Sequence, residues 1–176
     1  MVRIIAVRVI DRIKESGHTQ DVLTKHSSMI KVRLGFHELN EDVCSREGYI
    51  ILHLEDDETG IETLMEDLNK IYGIELKQMV LGPEAERSDP VTEASTVVIV
   101  GLIVNNRSEI SGQVQKVFTS FGCTIRSRLG INSQEGQGKD TGLILLELVG
   151  EHSEMNRLIE RLNSINNISV GVISFS

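Results

Sequence analysis

Aromatic residues are scarce in this sequence of 176 residues. They make up 3% of the chain, and tryptophan is absent. Proteins that bind single-stranded nucleic acid usually stack bases on exposed aromatic rings. The formal net charge of -8 also opposes a surface that binds phosphate over the whole molecule. The composition therefore predicts no direct binding of nucleic acid.

Cysteine and long apolar runs are scarce as well. Two cysteines cannot build a disulfide framework, which favours a reducing compartment. No apolar stretch reaches the roughly 18 residues that a membrane span requires. The segment that begins at Met1-Val2-Arg3 lacks the basic region and apolar run of a signal peptide. We therefore expect a cytoplasmic protein that does not enter a membrane.

Proline occurs only twice, and both prolines lie in one polar segment. They are Pro83 and Pro90, and residues 82–95 around them show no apolar periodicity. Such a segment is typical of a linker. It predicts a first unit at residues 1–81 and a second unit at residues 96–176.

The two predicted units repeat one another. Arg33-Leu34-Gly35 recurs 95 residues later as Arg128-Leu129-Gly130, and the apolar segment that begins at Gly48 recurs 94 residues later at Gly142. The difference of one residue falls in a polar loop, where insertions cost little. We interpret the chain as two copies of one structural unit.

Each copy has the same predicted order of elements. In the second copy, Ser108 is the expected cap of a first helix, whose apolar residues run from Ile110 to Phe121. A second amphipathic helix is predicted over residues 151–165. The predicted strands of this copy cover residues 97–104, 125–131, 142–149 and 168–175. The order β-α-β-β-α-β predicts an α+β protein with two ferredoxin-like units in tandem, in which helices cover one face of each antiparallel sheet.

An arginine and a glycine recur on the second predicted strand of each copy. They are Arg33 and Gly35 in the first copy and Arg128 and Gly130 in the second. The two arginines are candidates to clamp an anionic ligand. In the structural alternative, each glycine lets a helix pack close to the strand and each arginine lies on the solvated face. The sequence leaves both interpretations open.

The turn Asn105-Asn106-Arg107-Ser108 joins a strand to a helix in the second copy. The N–H groups at a helix N-terminus bind anions, so Asn105, Asn106, Arg107 and Ser108 are candidate ligand contacts. An Asx turn with a helix cap needs the same residue types, and this alternative also stays open. The corresponding residues 11–17 of the first copy are more charged, so the two sites need not be equivalent.

Candidate metal ligands occur only in the first copy. They are His26, His37 and Cys44. A square-planar site of nitrogen and sulfur ligands needs four of them, and scattered histidines on an exposed sheet are common. We keep a metal-binding module as the alternative function.

Motifs of nucleophilic catalysis and of phosphate-loop nucleotide binding are absent from the sequence. We therefore expect no enzymatic activity and no bound cofactor.

Residues 96–175 resemble a small protein family described as regulators of the iron-only hydrogenase system. The resemblance lies in the apolar strand that ends in Asn105-Asn106-Arg107, in Phe121-Gly122 at the helix end, and in Arg128-Leu129-Gly130. That family is similar to the ACT-type regulatory domain and to the C-terminal domain of the nickel-responsive repressor. The resemblance implies ACT-like units with a βαββαβ fold.

The same resemblance implies a function. We expect a non-enzymatic regulatory or sensor protein, linked to the iron-only hydrogenase system. It would bind a small polar or anionic effector, or a partner protein, at the interface between the units. A homodimer is compatible with this expectation, although the family's oligomeric state does not carry over from single units to a tandem. The metal alternative departs from the repressor's pattern because the sequence after His37 lacks the second histidine of a His-x-His pair.

Overall fold

A computed structural model describes residues 1–37, 45–82, 91–132 and 140–176. The chain divides into two compact units, Met1–Gln78 and Met79–Ser176. The first four strands and two helices are β1 (Val2–Val9), α1 (Arg12–Lys25), β2 (Ile30–Phe36), β3 (Gly48–Leu54), α2 (Glu58–Asn69) and β4 (Ile74–Leu81). The others are β5 (Val97–Val104), α3 (Arg107–Ser120), β6 (Ile125–Asn132), β7 (Gly142–Leu148), α4 (His152–Asn163) and β8 (Ile168–Phe175).

The strands form two antiparallel four-stranded sheets with the same topology. Their orders are β2-β3-β1-β4 and β6-β7-β5-β8. The repeat extends to register, since Arg33 pairs with Leu52 on β3 and Arg128 pairs with Leu146 on β7. The predicted fold of two βαββαβ units in tandem is confirmed.

The bounds of most elements agree with the sequence analysis, and the start of α3 does not. Ser108 is not the cap of this helix: Asn106 holds the cap position, with a φ of 52°, and its side chain makes no capping hydrogen bond. Asparagine tolerates this left-handed conformation better than most residues. The helix therefore begins at Arg107, two residues earlier than a cap at Ser108 would allow.

The core of the second unit lies between its sheet and its two helices. Alternate residues of β5, namely Val98, Val100 and Leu102, pack with α3 and α4. Helix α4 contributes one apolar stripe at helical spacing, which is Met155, Leu158, Ile159 and Leu162. Period two on the strand and period 3.6 on the helix bring both apolar faces together.

The core of the first unit is built in the same way, but α1 is more polar than α3. Ile5, Val7 and Val9 of β1 pack with α2 and with Leu23 of α1. The buried face of α1 also carries Glu15 and Thr19, which are 5% and 2% exposed. The equivalent positions of α3 hold isoleucine and valine.

The last part of the predicted linker belongs to the second unit. Val91 is buried in the core of that unit, and the side-chain amide of Asn156 bonds both its backbone N–H and its carbonyl, each at 2.9 Å. Residues 83–90 of the linker lie outside the described residues. Within the described chain, no helix has the length and apolar character to cross a membrane.

Candidate functional site: two equivalent grooves

In each copy, a backbone hydrogen bond ties the first helix to the loop that precedes the third strand. Arg12 N–H donates to the carbonyl of Arg46 at 2.8 Å, and Arg107 N–H donates to the carbonyl of Asp140 at 2.9 Å. Each acceptor lies two residues before the glycine that starts the strand. The first residue of each helix, an arginine in both copies, is thereby fixed beside Gly48 or Gly142.

The N-terminus of α3 is occupied by a carboxylate of the chain itself. Asp140 accepts a hydrogen bond from Ser108 N–H at 2.8 Å and another from the Ser108 hydroxyl at 2.6 Å. These two bonds hold the pKa of Asp140 below its usual value. The amide that we expected to bind an external anion therefore has an internal partner. Asn105 faces the same loop, since its side-chain oxygen accepts from the Thr141 hydroxyl at 3.3 Å.

A groove of 390 Å³ opens between α3 and the strands β6 and β7. We call it the second groove. Its polar lining comprises Arg107, Ser111, Gln115 and Arg128, and Gly130 and Gly142 also line it. Its apolar lining includes Val114, Phe118 and Ile144, which pack in the core of the second unit.

The first unit has a groove of 550 Å³ at the equivalent place, between α1 and the strands β2 and β3. We call it the first groove. Thr19, His37 and Tyr49 give it polar groups that the second groove lacks. Arg12, Ser16, Gln20, Arg33, Gly35 and Gly48 also line it. Each of these six residues is identical to its counterpart 95 or, for Gly48, 94 positions later. The two copies thus share the groove and these six residues, whereas Thr19, His37 and Tyr49 of the first groove are not repeated in the second copy.

This identity is not a general property of the two helices. On α1, the exposed residues Lys14, His18, Asp21 and Lys25 lie outside the first groove. Their counterparts on α3 are Glu109, Gln113, Lys116 and Ser120, so these four differ in residue type, whereas the exposed Thr24, also outside the groove, is identical to Thr119. The polar residues that the helices share inside the grooves are spaced by four positions, which places them along one helix face.

The strand arginine of each groove is held by a glutamine from the helix. Arg33 donates to the side-chain oxygen of Gln20 at 2.6 Å, and Arg128 donates to that of Gln115 at 2.9 Å. The guanidinium of Arg128 also lies over the ring of Phe118, 5.3 Å from the ring centre. The first copy has Leu23 at the position of Phe118.

The two glycines of each groove provide space in two different ways. A Cβ on Gly142 would lie 3.5 Å from Cδ of Arg107, and one on Gly48 would lie 3.2 Å from Cδ of Arg12, so the arginine stems pass close over these glycines. A Cβ on Gly130 would meet no atom within 4 Å. The alternative that a helix packs closely on this glycine is therefore wrong, whereas the other part of that alternative is confirmed, since Arg33 and Arg128 are exposed.

The grooves are positively charged in an acidic protein. None of the described residues that line them is aspartate or glutamate, whereas each groove has two arginines. Arg33, Gly35, Arg107, Arg128 and Gly130 of this set were predicted from the sequence as ligand contacts. Arg12 and Ser16 fall within the segment 11–17, which was expected to correspond to the turn at residues 105–108. Gln20, Ser111 and Gln115 were not predicted, although the identity of the two helices at positions i, i+4 and i+8 was a usable signal.

The candidate metal ligands are not brought together among the described residues. His26 Nε2 lies 2.9 Å from Oδ2 of Asp67, His37 lines the first groove, and Cys44 lies outside the described residues. Over residues 1–37, 45–82, 91–132 and 140–176, no three His, Cys, Asp or Glu side chains form a group that could hold a metal ion. The metal site stays a prediction without structural support.

No protein-family model and no curated protein matches this chain. Among solved structures, an uncharacterized protein from Thermotoga maritima is similar with 20% identity and a TM-score of 0.40, over 46% of this chain and 96% of that one. The acetolactate synthase small subunit from Thermotoga maritima is similar with 11% identity and a TM-score of 0.37, over 100% and 98%. A mutant chlorite dismutase from Candidatus Nitrospira defluvii is similar with 8% identity and a TM-score of 0.38, over 99% and 91%. Similarities this low assign no function, and ferredoxin-like folds host unrelated functions.

Proposed function

We propose that this chain is a non-enzymatic regulatory protein that binds a small polar or anionic effector in the first groove and in the second groove. One observation carries the proposal. The two copies differ at most positions of α1 and α3 outside the grooves, yet they share the arginine, the serine and the glutamine that each helix places in its groove, with Thr19 and its counterpart Val114 as the exception. Ligand contacts restrict residue type at such exposed positions, whereas folding alone does not.

The chemistry of the second groove favours binding over catalysis. General acid–base catalysis needs a group that gains and loses a proton near the working pH. The polar side chains described in the second groove are two arginines, a serine and a glutamine. Arginine stays protonated in proteins, and neither serine nor glutamine titrates near neutral pH. This set can hold an anion by charge and hydrogen bonds, but it cannot shuttle protons.

The position of each groove suits a regulatory signal. Arg107 starts helix α3, and Arg128 lies on strand β6. A ligand bound to both side chains would connect the helix to the strand and would favour the conformation in which the two arginines lie close together. We propose that this conformational preference is passed to a partner protein in the cytoplasm. The resemblance of residues 96–175 makes the iron-only hydrogenase system the first partner to test.

Thermal unfolding of the whole chain tests the proposed function. A ligand that binds only the folded state raises the unfolding temperature, so a panel of phosphates, carboxylates and amino acids identifies effectors. The variant Arg33→Ala/Arg128→Ala should lose the response to every effector found. Its matched control is Lys31→Ala/Arg126→Ala, which removes a cation two residues earlier on each strand, outside the grooves. An effector that stabilises both variants equally would contradict binding in the grooves.

A further inference from the structure

We infer that each groove binds the oxyanion head of a ligand with a short aliphatic body, and that the second groove binds this ligand more tightly than the first. The inference rests on the proposed ligand-binding function and extends it to a ligand class and an order of filling.

The charge of the grooves selects an oxyanion. Each groove has two guanidinium groups, and none of the described lining residues is an aspartate or a glutamate, while Asp140 beside the second groove interacts electrostatically with Arg107. The planar fork of arginine donates two parallel hydrogen bonds to a carboxylate or a phosphate. The serine and glutamine of the helix add neutral hydrogen-bonding groups beside the cations. A ligand head with two or more terminal oxygens therefore matches the lining.

The remaining surface selects a short aliphatic body. In the second groove, Val114, Phe118 and Ile144 line the cavity. Gly130 leaves open space beside them, since a Cβ added there would lie more than 4 Å from the nearest neighbouring atom. The volume of 390 Å³ is near the lower end of the roughly 300–1,000 Å³ typical of small-molecule sites. The groove thus has room for a few carbon atoms beside the charged head.

The order of filling follows from how firmly the strand arginine is held. Arg128 is fixed by the Gln115 hydrogen bond and by the ring of Phe118, whereas Arg33 has the equivalent glutamine but a leucine in place of the ring. A side chain that is already ordered loses less conformational entropy when a ligand binds. The smaller volume of the second groove also leaves less unfilled space around a short ligand.

Four probes that each contain four carbon atoms test the effect of the head group separately from that of the aliphatic body. They are butyrate, butylphosphonate, butyramide and butylammonium. Titration of the full chain is followed by NMR through the side-chain Nε–H signals of Arg12, Arg33, Arg107 and Arg128. Butyrate, butylphosphonate or both should shift all four signals, and Arg107 and Arg128 should respond at lower concentration. The neutral amide and the cation should shift none. The better of the two anions tells a carboxylate effector from a phosphorylated one.

Exchanging the residue beneath the strand arginine tests the order of filling. Phe118→Leu should weaken anion binding in the second groove by about two- to five-fold, which is the contribution of one cation–π contact. Leu23→Phe should strengthen the first groove by a similar factor. Equal affinity of the two grooves in the native chain, or an order that the exchange does not alter, would overturn the predicted order.

The outcomes for head group and function are distinguishable. Equal binding of butyramide and butyrate would overturn the oxyanion class. The absence of any anion response in the grooves would also overturn it, even where other effectors still bind there. The proposed function itself is contradicted when effectors stabilise Arg33→Ala/Arg128→Ala and the control Lys31→Ala/Arg126→Ala equally.

Discussion

The carboxylate of Asp140 accepts hydrogen bonds from both the backbone N–H and the hydroxyl of Ser108, at 2.8 and 2.6 Å. These two residues are 32 positions apart, and their contact fixes the start of α3 next to Arg107. In the first copy Asp11, at the helix cap itself, accepts from Lys14 N–H and from Arg46. The two copies therefore anchor the same helix end with a carboxylate from different positions.

Replacing Asp140 by alanine should lower the unfolding temperature of the second unit. The first-turn N–H of Ser108 would lose its acceptor, and such helix-end groups need a partner or water. Circular dichroism during heating measures the change. Asp140→Asn keeps a side-chain oxygen that can accept one bond, so it should lie between the alanine variant and the native chain. An unchanged midpoint for Asp140→Ala would show that this contact does not stabilise the helix.

Acid should lower the free energy of unfolding of the first unit, because it protonates Asp67. This carboxylate accepts hydrogen bonds from Lys25, Lys70 and His26, and these bonds hold its pKa well below the usual range. Because the folded pKa is the lower one, the stabilisation is complete above the unfolded pKa of about 3.9 and declines as the pH falls towards the folded value.

The variant Asp67→Asn isolates this contribution. The gap in unfolding temperature between the native chain and the variant should be constant from neutral pH to about pH 5 and should shrink below about pH 4. Thermal scans across that range measure it. A gap that stays constant down to pH 3 would contradict the role assigned to Asp67.

The buried polar residues of α1 should be replaceable by the apolar residues that α3 has at the equivalent positions. Glu15 and Thr19 are almost fully buried, and the Glu15 carboxylate lies 2.9 Å from Nδ1 of His18. The second copy has Ile110 and Val114 there. Since well-packed apolar residues often match or exceed buried charged groups in stability, Glu15→Ile/Thr19→Val should raise the unfolding temperature of the first unit. A lower temperature would mean that the contacts of Glu15 with Lys14 and His18 stabilise the first unit by more than the burial of its carboxylate costs.

The fold could be predicted from the sequence because its signals are local. The apolar runs at residues 97–104 and 168–175 became β5 and β8 with the expected bounds, and the repeat applied the same topology to both halves. The start of α3 could not be predicted in this way. It depends on Asn106 in a left-handed conformation and on the distant Asp140.

Only part of the lining of each groove could be predicted from the sequence. Arg33 and Arg128 could be predicted as ligand contacts because they recur in a short motif with glycine. Ser16, Gln20 and their counterparts are exposed polar residues on helices, which single-sequence analysis assigns to a solvated face. These residues border a cavity because residues of β2 and β3, or of β6 and β7, line the same groove, and that arrangement is known only from the structure.

The glycines of the two grooves offer a test that separates binding from stability. Gly130→Val should fill part of the second groove, since a Cβ there meets no atom within 4 Å. Valine is favourable in strands, and a substitution that disturbs no contact usually changes the free energy of unfolding by less than about 0.5 kcal/mol. We expect a nearly native unfolding temperature and a lost anion response at Arg107 and Arg128, while Arg12 and Arg33 still respond.

Gly35→Val is the matched variant in the first groove, where the nearest atom to an added Cβ is the carbonyl oxygen of Tyr49 at 3.9 Å. It should abolish the response of Arg12 and Arg33 and leave that of Arg107 and Arg128. Arg126→Val serves as a control because Arg126 is exposed on the same strand as Gly130 but does not line the groove. If each glycine variant folds normally and all four arginines still respond to the anion, the ligand binds outside the grooves. If each variant silences only its own pair, the two copies act as separate sites, because a single shared site would lose all four responses together.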